Sequence, residues 1–325
     1  MIRRAWRLVA VLSGLAVLTG PTATRGLTLD ASPQRMRERV PAAVTVVAAG
    51  DISCDPHNPL FNGGRGTGTW CRAAATAKVI AAADPDAVLT LGDNQYDDGR
   101  LKAFRRAYGK SWGHQRYRTY PAVGNHEYDS DRYARGYFNY FGRRAGVAGR
   151  GWYTARLGAW RMIALNTNCD RVLCGPHGAQ YAWLSNMLAT RPAACSIAIM
   201  HHPLVSSGPH GDDESGARAL WKLLYRAGVD VALTGHDHIY ERFTPVDAFG
   251  KPDRTTGIRS FVVGTGGAQH YGIDAVHPGS KVRNTTTFGV LRLVLGAGTY
   301  AWRFLPAANG SFTDGGTGTC HGAPA

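Results

Sequence analysis

Lysine is scarce in this chain. Only six of its 37 basic residues are lysines, at 78, 102, 110, 222, 251 and 281, and the rest are arginines. The cations are scattered without a run of five or more, whereas dedicated nucleic-acid binders gather them in clusters or stripes. The formal net charge of +14 therefore reads as an arginine-biased surface, or as a field that attracts anionic substrates. No dedicated nucleic-acid-binding signature is expected. No apolar run reaches the roughly 18 residues that span a bilayer. No CxxC pair occurs, which argues against a cysteine metal site. The segment Gly264-Thr265-Gly266-Gly267 lacks the following Lys-Ser/Thr of a phosphate-cradling loop, so it reads as a tight turn.

What is present is the composition of a folded protein, with 44% apolar and 18% charged residues. A length of 325 residues suits one large domain or two ordinary ones. Residues 1–24 read as a signal peptide: Arg3, Arg4 and Arg7 precede an apolar stretch over 8–18, with small residues at Thr22-Ala23-Thr24. The expectation is a secreted, extracellular protein exported by the Sec or Tat route, with no membrane anchor after cleavage. Residues 25–42 read as a linker and 43–325 as the catalytic domain. Six cysteines in an exported chain suggest disulfides. Of the fifteen pairings that six cysteines allow, we expect Cys54–Cys71 and Cys169–Cys174, the near neighbours, and Cys195–Cys320, tying the tail to the core.

From Val44 onward short apolar runs alternate with amphipathic stretches, which argues for an α/β fold. Strands are expected over 44–49 and 87–91 and near 160–166, 195–200, 229–234, 259–264 and 287–304. Helices are expected over 72–83 and near 100–108, 178–190 and 215–227. Four apolar stretches end in glycine followed by a metal-binding type of residue: Gly50-Asp51, Gly92-Asp93, Gly124-Asn125-His126 and Gly235-His236. A fifth, 197–200, runs straight into His201. In open α/β sheets ligands collect beyond the carboxyl ends of the strands. Glycine there lets the backbone turn sharply. Such a crevice gathers carboxylates, an amide and imidazoles, a donor set for hard to borderline cations.

Gly50-Asp51, Gly92-Asp93-Asn94-Gln95-Tyr96, Gly124-Asn125-His126-Glu127, Ile199-Met200-His201 and Gly235-His236-Asp237-His238 together resemble the calcineurin-like metallophosphoesterases. The likeness covers roughly residues 44–304. It is strongest to the purple acid phosphatase branch, because Ser53 stands where ordinary members carry a metal-binding histidine and Tyr96 follows the second Asp by three. The resemblance implies a metallophosphatase-type αββα sandwich, two mixed β-sheets flanked by helices, with a binuclear site at strand carboxyl ends. It implies Fe(III) held by Asp51, Tyr96 and His238; Zn(II), Mn(II) or Fe(II) held by Asn125, His201 and His236; and Asp93 bridging them. His202 is read as the non-ligand neighbour of His201, the reverse assignment staying open. His126 and His210 are the catalytic candidates, contacting phosphate or protonating the leaving oxygen. His57, His114, His177, His270 and His277 read as surface or structural, and Asp97, Asp98, Asp212 and Asp213 as solvated loop carboxylates.

The implied activity is hydrolysis of phosphomonoesters by attack of metal-bound hydroxide on phosphorus, on a small phosphorylated substrate. A phosphodiesterase or nuclease on the same site is the alternative, since the metal cage serves both. A non-catalytic phosphate- or metal-binding protein is a further one. The motifs carry no information on oligomeric state.

Overall fold

The computed structural model describes residues 42–211 and 217–322. The expected signal peptide, all of the expected linker but residue 42, and Asp212 and Asp213 lie outside the described residues. The first part runs β1 (Val44–Ala49), α1 (Ala73–Ala83), β2 (Ala87–Leu91), α2 (Leu101–Arg106), β3 (Thr119–Ala122) and α3 (Arg135–Phe141). There follow β4 (Tyr153–Leu157), β5 (Trp160–Ala164), α4 (Ala179–Thr190), β6 (Ser196–Ile199), α5 (Arg218–Arg226) and β7 (Val231–Thr234). Then come β8 (Tyr240–Phe243), β9 (Arg259–Val263), β10 (Ser280–Asn284), β11 (Gly289–Leu295), β12 (Thr299–Pro306) and β13 (Gly315–Thr319).

The strands form two mixed sheets, ordered β13-β12-β11-β1-β2-β3 and β10-β8-β9-β7-β6-β5-β4. Side-chain alternation along each strand builds the layers. Met162, Ile197, Ile199, Val231 and Leu233 face the core shared with the first sheet. Ile163, Ala198, Met200 and Ala232 face the other way, onto Leu184 of α4 and Leu220, Trp221 and Leu224 of α5. The parallel trio β1, β2, β3 and the parallel run β5, β6, β7, β9 are buried on both faces, and so read as continuous apolar runs. The tail reads differently. The expected strand near 287–304 is two strands, β11 and β12, turned at Gly296 and Gly298, where Gly298 takes φ +85. Strand β13 (GGTGT) carries almost no side-chain signal and is exposed along its length.

Covalent and polar staples lock the layers. All three expected disulfides are present, and no described cysteine is free. Beside Cys195–Cys320, the Asp230 carboxylate accepts the backbone N–H of Ser196 at 2.8 Å and of His321 at 2.6 Å. Between the sheets, Asp314 accepts from Tyr240 (2.6 Å), from Arg242 (2.7 and 3.0 Å) and from the Trp302 indole (3.3 Å). Arg242 and Arg259 both lie over the Trp302 ring. One carboxylate thus joins β8 of one sheet to β12 of the other.

Burial alone would raise the Asp314 carboxyl, but the hydrogen bonds from Arg242 and Tyr240 and the charge of Arg242 outweigh it, and the group sits below its ordinary value. A carboxylate lowered on folding stabilises the fold above its unfolded pKa of about 3.9 and loses that contribution as pH falls through the folded value. Asp314→Asn is expected to cost about 2 kcal/mol in urea unfolding from pH 5 to 8. The gap to wild type should narrow below about pH 4; a gap independent of pH would show that the carboxylate charge contributes nothing.

Candidate metal centre

Five strand ends deliver the predicted residues to the seam between the sheets. Asp51 follows β1, Asp93 follows β2, Asn125 follows β3, His201 follows β6, and His236 and His238 follow β7. Asp51, Asp93 and His236 hold left-handed backbone, at φ 60, 43 and 71, a conformation that costs non-glycine residues of order 1–3 kcal/mol each. That turn swings each side chain from the strand into the seam. Glycine clears the space: a β-carbon on Gly92 would strike the His201 ring, and one on Gly124 would strike the Asp93 carboxylate.

The donors form two sets that share one oxygen. In the first, the Tyr96 hydroxyl lies 3.0 Å from Asp51 Oδ1, 2.9 Å from Asp93 Oδ2 and 2.9 Å from His238 Nε2. His238 Nε2 is also 3.3 Å from Asp51 Oδ1. In the second, His201 Nε2 lies 2.9 Å from Asn125 Oδ1, 3.2 Å from His236 Nδ1 and 3.3 Å from Asp93 Oδ2. Carbonyls behind the rings fix their tautomers. His201 Nδ1 donates to the Leu91 carbonyl at 2.8 Å and His238 Nδ1 to that of Gln269 at 2.9 Å, so in the neutral ring each Nε2 turns a lone pair inward.

The count of protons settles what the site suits. Around Tyr96 one phenolic proton faces three lone-pair atoms, and one proton serves one acceptor well. A buried cluster with more lone pairs than protons is the donor set of a cation. The charge response agrees. Burial by itself would lower His201, yet the Asp93 carboxylate beside it carries it up to about 9. Asp93, in spite of burial, is held far below its ordinary value by His201, His126 and His236. Burial, Asp51 and Asp93 push the Tyr96 phenol well above 10.

His126 and His210 flank this cluster, each with about a third of its side chain exposed, 32% and 33%. The ring of His126 lies 4.5 Å from that of Tyr96, and its Nδ1 donates to the Asp97 carbonyl at 2.6 Å. Asp93, outweighing burial with the help of that carbonyl, raises it. The ring of His210 lies 4.5 Å from that of His236, and its Nδ1 donates to Asp237 Oδ1 at 2.9 Å. His202 packs edge-on to His201 and His236, meets Thr167 Oγ1 at 2.8 Å, and is lowered to about 3 by burial and His201. Its grouping with His201 and His236 keeps it in contact with the second set. Among the histidines set aside, His270 meets the His238 carbonyl at 3.1 Å and stacks on Phe288; His57 pairs with Asp55 at the surface. The 264–268 segment is a turn against β1, where Gly266 and Ala268 donate to Gly50 and Asp51.

Supporting residues escaped the sequence reading. Glu127 is buried and accepts the backbone N–H groups of Asn94 (2.8 Å), Gln95 (3.2 Å) and Gly124 (2.7 Å), tying the loop after β2 to the loop after β3. Glu241 accepts from Ser207, backbone and hydroxyl, and from the Ser280 hydroxyl, anchoring the loop that carries His210. Tyr271 stacks on His238, centroids 3.9 Å apart. Glu127 had a sequence signal, lying three residues after Gly124 in a loop of ligand types, and Glu241 lay in the stretch His238-Ile239-Tyr240-Glu241-Arg242 that extends the family likeness.

Two sheets thus meet over paired donor sets, and comparison with known proteins shows the family to which this frame belongs. The calcineurin-like phosphoesterase profile matches residues 44–240, and the chain belongs to that family. Its relatives include tartrate-resistant acid phosphatase type 5 of Sus scrofa, 25% identical over 260 residues, covering 72% of this chain and 73% of that one. Another is purple acid phosphatase 21 of Arabidopsis thaliana, 36% identical over 96 residues, 28% of this chain and 22% of that one. Among solved structures, purple acid phosphatase PPD1 from yellow lupin (Lupinus luteus) seeds superposes with a TM-score of 0.66 at 20% identity, over 85% of this chain and 53% of that one. The chain thus spans only part of the length of these plant proteins.

Glu127→Ala strands three buried N–H donors, each costing about 1–3 kcal/mol unsatisfied. Denaturant unfolding should show a loss of at least about 3 kcal/mol. A loss below about 1 kcal/mol would mean that Glu127 does not hold the two loops together.

Proposed function

We propose that this protein is an exported binuclear metallophosphatase that hydrolyses phosphomonoesters. The observation that carries the reading is the Asp93 Oδ2 oxygen, placed between an Asp51/Tyr96/His238 set and an Asn125/His201/His236 set. Two cations so held would supply a nucleophile at neutral pH and neutralise the phosphoryl oxygens.

The chain's own residues divide the remaining work. Asp51, Tyr96 and His238 would hold one cation, Asn125, His201 and His236 the other, with Asp93 common to both. A phenol that burial and two carboxylates make hard to ionise binds as phenolate only to a strongly polarising cation, which favours Fe(III) in the first set. The neutral amide and imidazoles of the second suit Zn(II), Mn(II) or Fe(II). His126 and His210 have Nδ1 engaged by Asp97 and Asp237, which leaves Nε2 to orient a phosphate ester and give a proton to the leaving oxygen. Three disulfides fit an oxidising, extracellular setting, as does the leader-like start of the sequence.

The deciding measurement is the ratio of initial rates on a matched aryl phosphate monoester and diester with the metal-loaded protein. A ratio well above one supports the phosphomonoesterase; a ratio below one transfers the reading to a diesterase, and turnover of neither with both metals bound transfers it to a binding protein. Asn125→Ala and His201→Ala should each lose one equivalent of metal by elemental analysis and about a hundredfold or more in turnover, the scale of a lost metal-centred contribution. Unchanged turnover would overturn the site assignment.

A further inference from the structure

The far end of the second sheet carries an arrangement that the metal centre does not use. Arg156 of β4 and Arg161 of β5 are directly opposed in an antiparallel pair. Opposed residues project from the same face, with β-carbons about 5 Å apart, and like charges there destabilise a sheet. Arg191, the residue that ends α4, joins them, and with Thr154, Ala155 and Met187 the three arginines line a cavity of about 360 Å³. Burial and the charges of Arg156 and Arg191 all lower the half-buried Arg161 guanidinium.

Among the described residues nothing balances this charge, although Arg156 and Arg191 are exposed to solvent. Among the described residues, no carboxylate pairs with any of the three guanidinium groups, although other arginines here find partners: Arg100 with Asp98, Arg118 with Asp84, Arg135 with Asp131, Arg171 with Asp170 and Arg242 with Asp314. No described side chain or carbonyl accepts a hydrogen bond from them either. The carboxyl end of α4 offers about half a negative charge at most, against three positive ones. An antiparallel edge that holds opposed arginines against their repulsion, around a concave space, is built for a compact anion. Planar guanidinium groups suit a tetrahedral oxyanion, which they bind with paired hydrogen bonds.

We propose that Arg156, Arg161 and Arg191 form a second anion site that takes a phosphate group, separate from the metal centre. Arg161 pairs with Ser196 at the start of β6, whereas the metal donors lie past that strand's other end. The five residues from Ser196 to His201 span roughly 16 Å at the rise of a strand. A phosphate here is therefore bound and not hydrolysed. Its source is either free inorganic phosphate or the phosphodiester headgroup of an anionic lipid.

The test compares the metal-loaded wild type with Arg156→Gln/Arg161→Gln. Without phosphate, relief of the repulsion should leave the variant melting at the same temperature or higher. With millimolar inorganic phosphate, the wild type should gain more in melting temperature than the variant, whose remaining gain comes from the metal centre. Calorimetry should show two classes of phosphate site in the wild type. In the variant the second class should be weakened by about tenfold or more per lost guanidinium, with phosphoesterase turnover unchanged. Co-sedimentation with phosphatidylcholine vesicles, with and without phosphatidylglycerol, separates the sources. Binding to the anionic vesicles that the variant loses assigns the site to a headgroup, even where free phosphate binds weakly. Equal phosphate responses in both proteins, with no variant-sensitive vesicle binding, would overturn the proposal. So would a variant that melts lower than wild type in phosphate-free buffer, because the arginines would then be structural.

Discussion

A single carboxylate oxygen organises this molecule. Asp93 Oδ2 sits within 2.9 Å of the Tyr96 hydroxyl and 3.3 Å of His201 Nε2. Burying a carboxylate among lone pairs is unfavourable unless positive charge is brought to it. The surroundings show that demand: His201 is drawn upward and Tyr96 is pushed away from ionisation. The requirement propagates outward through the backbone. The carbonyls of Leu91 and Gln269 take the far protons of His201 and His238, so that in the neutral rings a cation would need, lone pairs face the seam. Left-handed turns at Asp51, Asp93 and His236 point the donors inward, and glycines make the room.

Such a site strains the scaffold that holds it. Like-charged carboxylates approach one another, and three non-glycine residues occupy left-handed backbone. The cage also draws on both sheets, Asp51, Asp93 and Asn125 from one and His201, His236 and His238 from the other, so a small slide between layers would separate the two donor sets. The staples resist that slide. Asp314 and the Arg242–Trp302–Arg259 stack bind β8 to β12. Cys195–Cys320 and Asp230 bind the start of β6 to the tail beyond β13. These contacts lie away from the donors and are the physical means by which their spacing is kept.

Much of this could be read from sequence because burial and ligation leave local marks. The buried parallel strands β1, β2, β6, β7 and β9 are apolar runs, and the donors follow the first four directly. Where structure depends on pairing instead, the signal fades. β13 is a strand because β12 offers it an edge, and its five residues include three glycines. Strand β10 alternates half-exposed and exposed positions. Glu127 and Glu241 look like surface carboxylates in one dimension. Their buried roles arise from backbone N–H groups and hydroxyls that the fold brings from 32 to 39 residues away, Gly124 alone being local to its glutamate. The disulfide Cys195–Cys320, with a separation of 125 residues, is legible only because the other four cysteines pair locally.

The division between buried donors and half-exposed histidines also explains why the cage does not by itself choose a substrate. Asp51, Asp93, His201 and His238 are almost wholly enclosed, and their surroundings are fixed by backbone. In the proposed reaction they would meet only the part of a phosphate ester that monoesters and diesters share. His126 and His210 stand at the rim, held from behind by the Asp97 carbonyl and the Asp237 carboxylate. A second ester group would have to pass them. On the proposed reading, selectivity would reside in rim loops, the 206–211 turn anchored by Glu241 and the loop carrying Tyr271. On the same reading the strand-end motifs carry the chemistry at phosphorus, and the rim, which those motifs do not describe, would set what is attached to it.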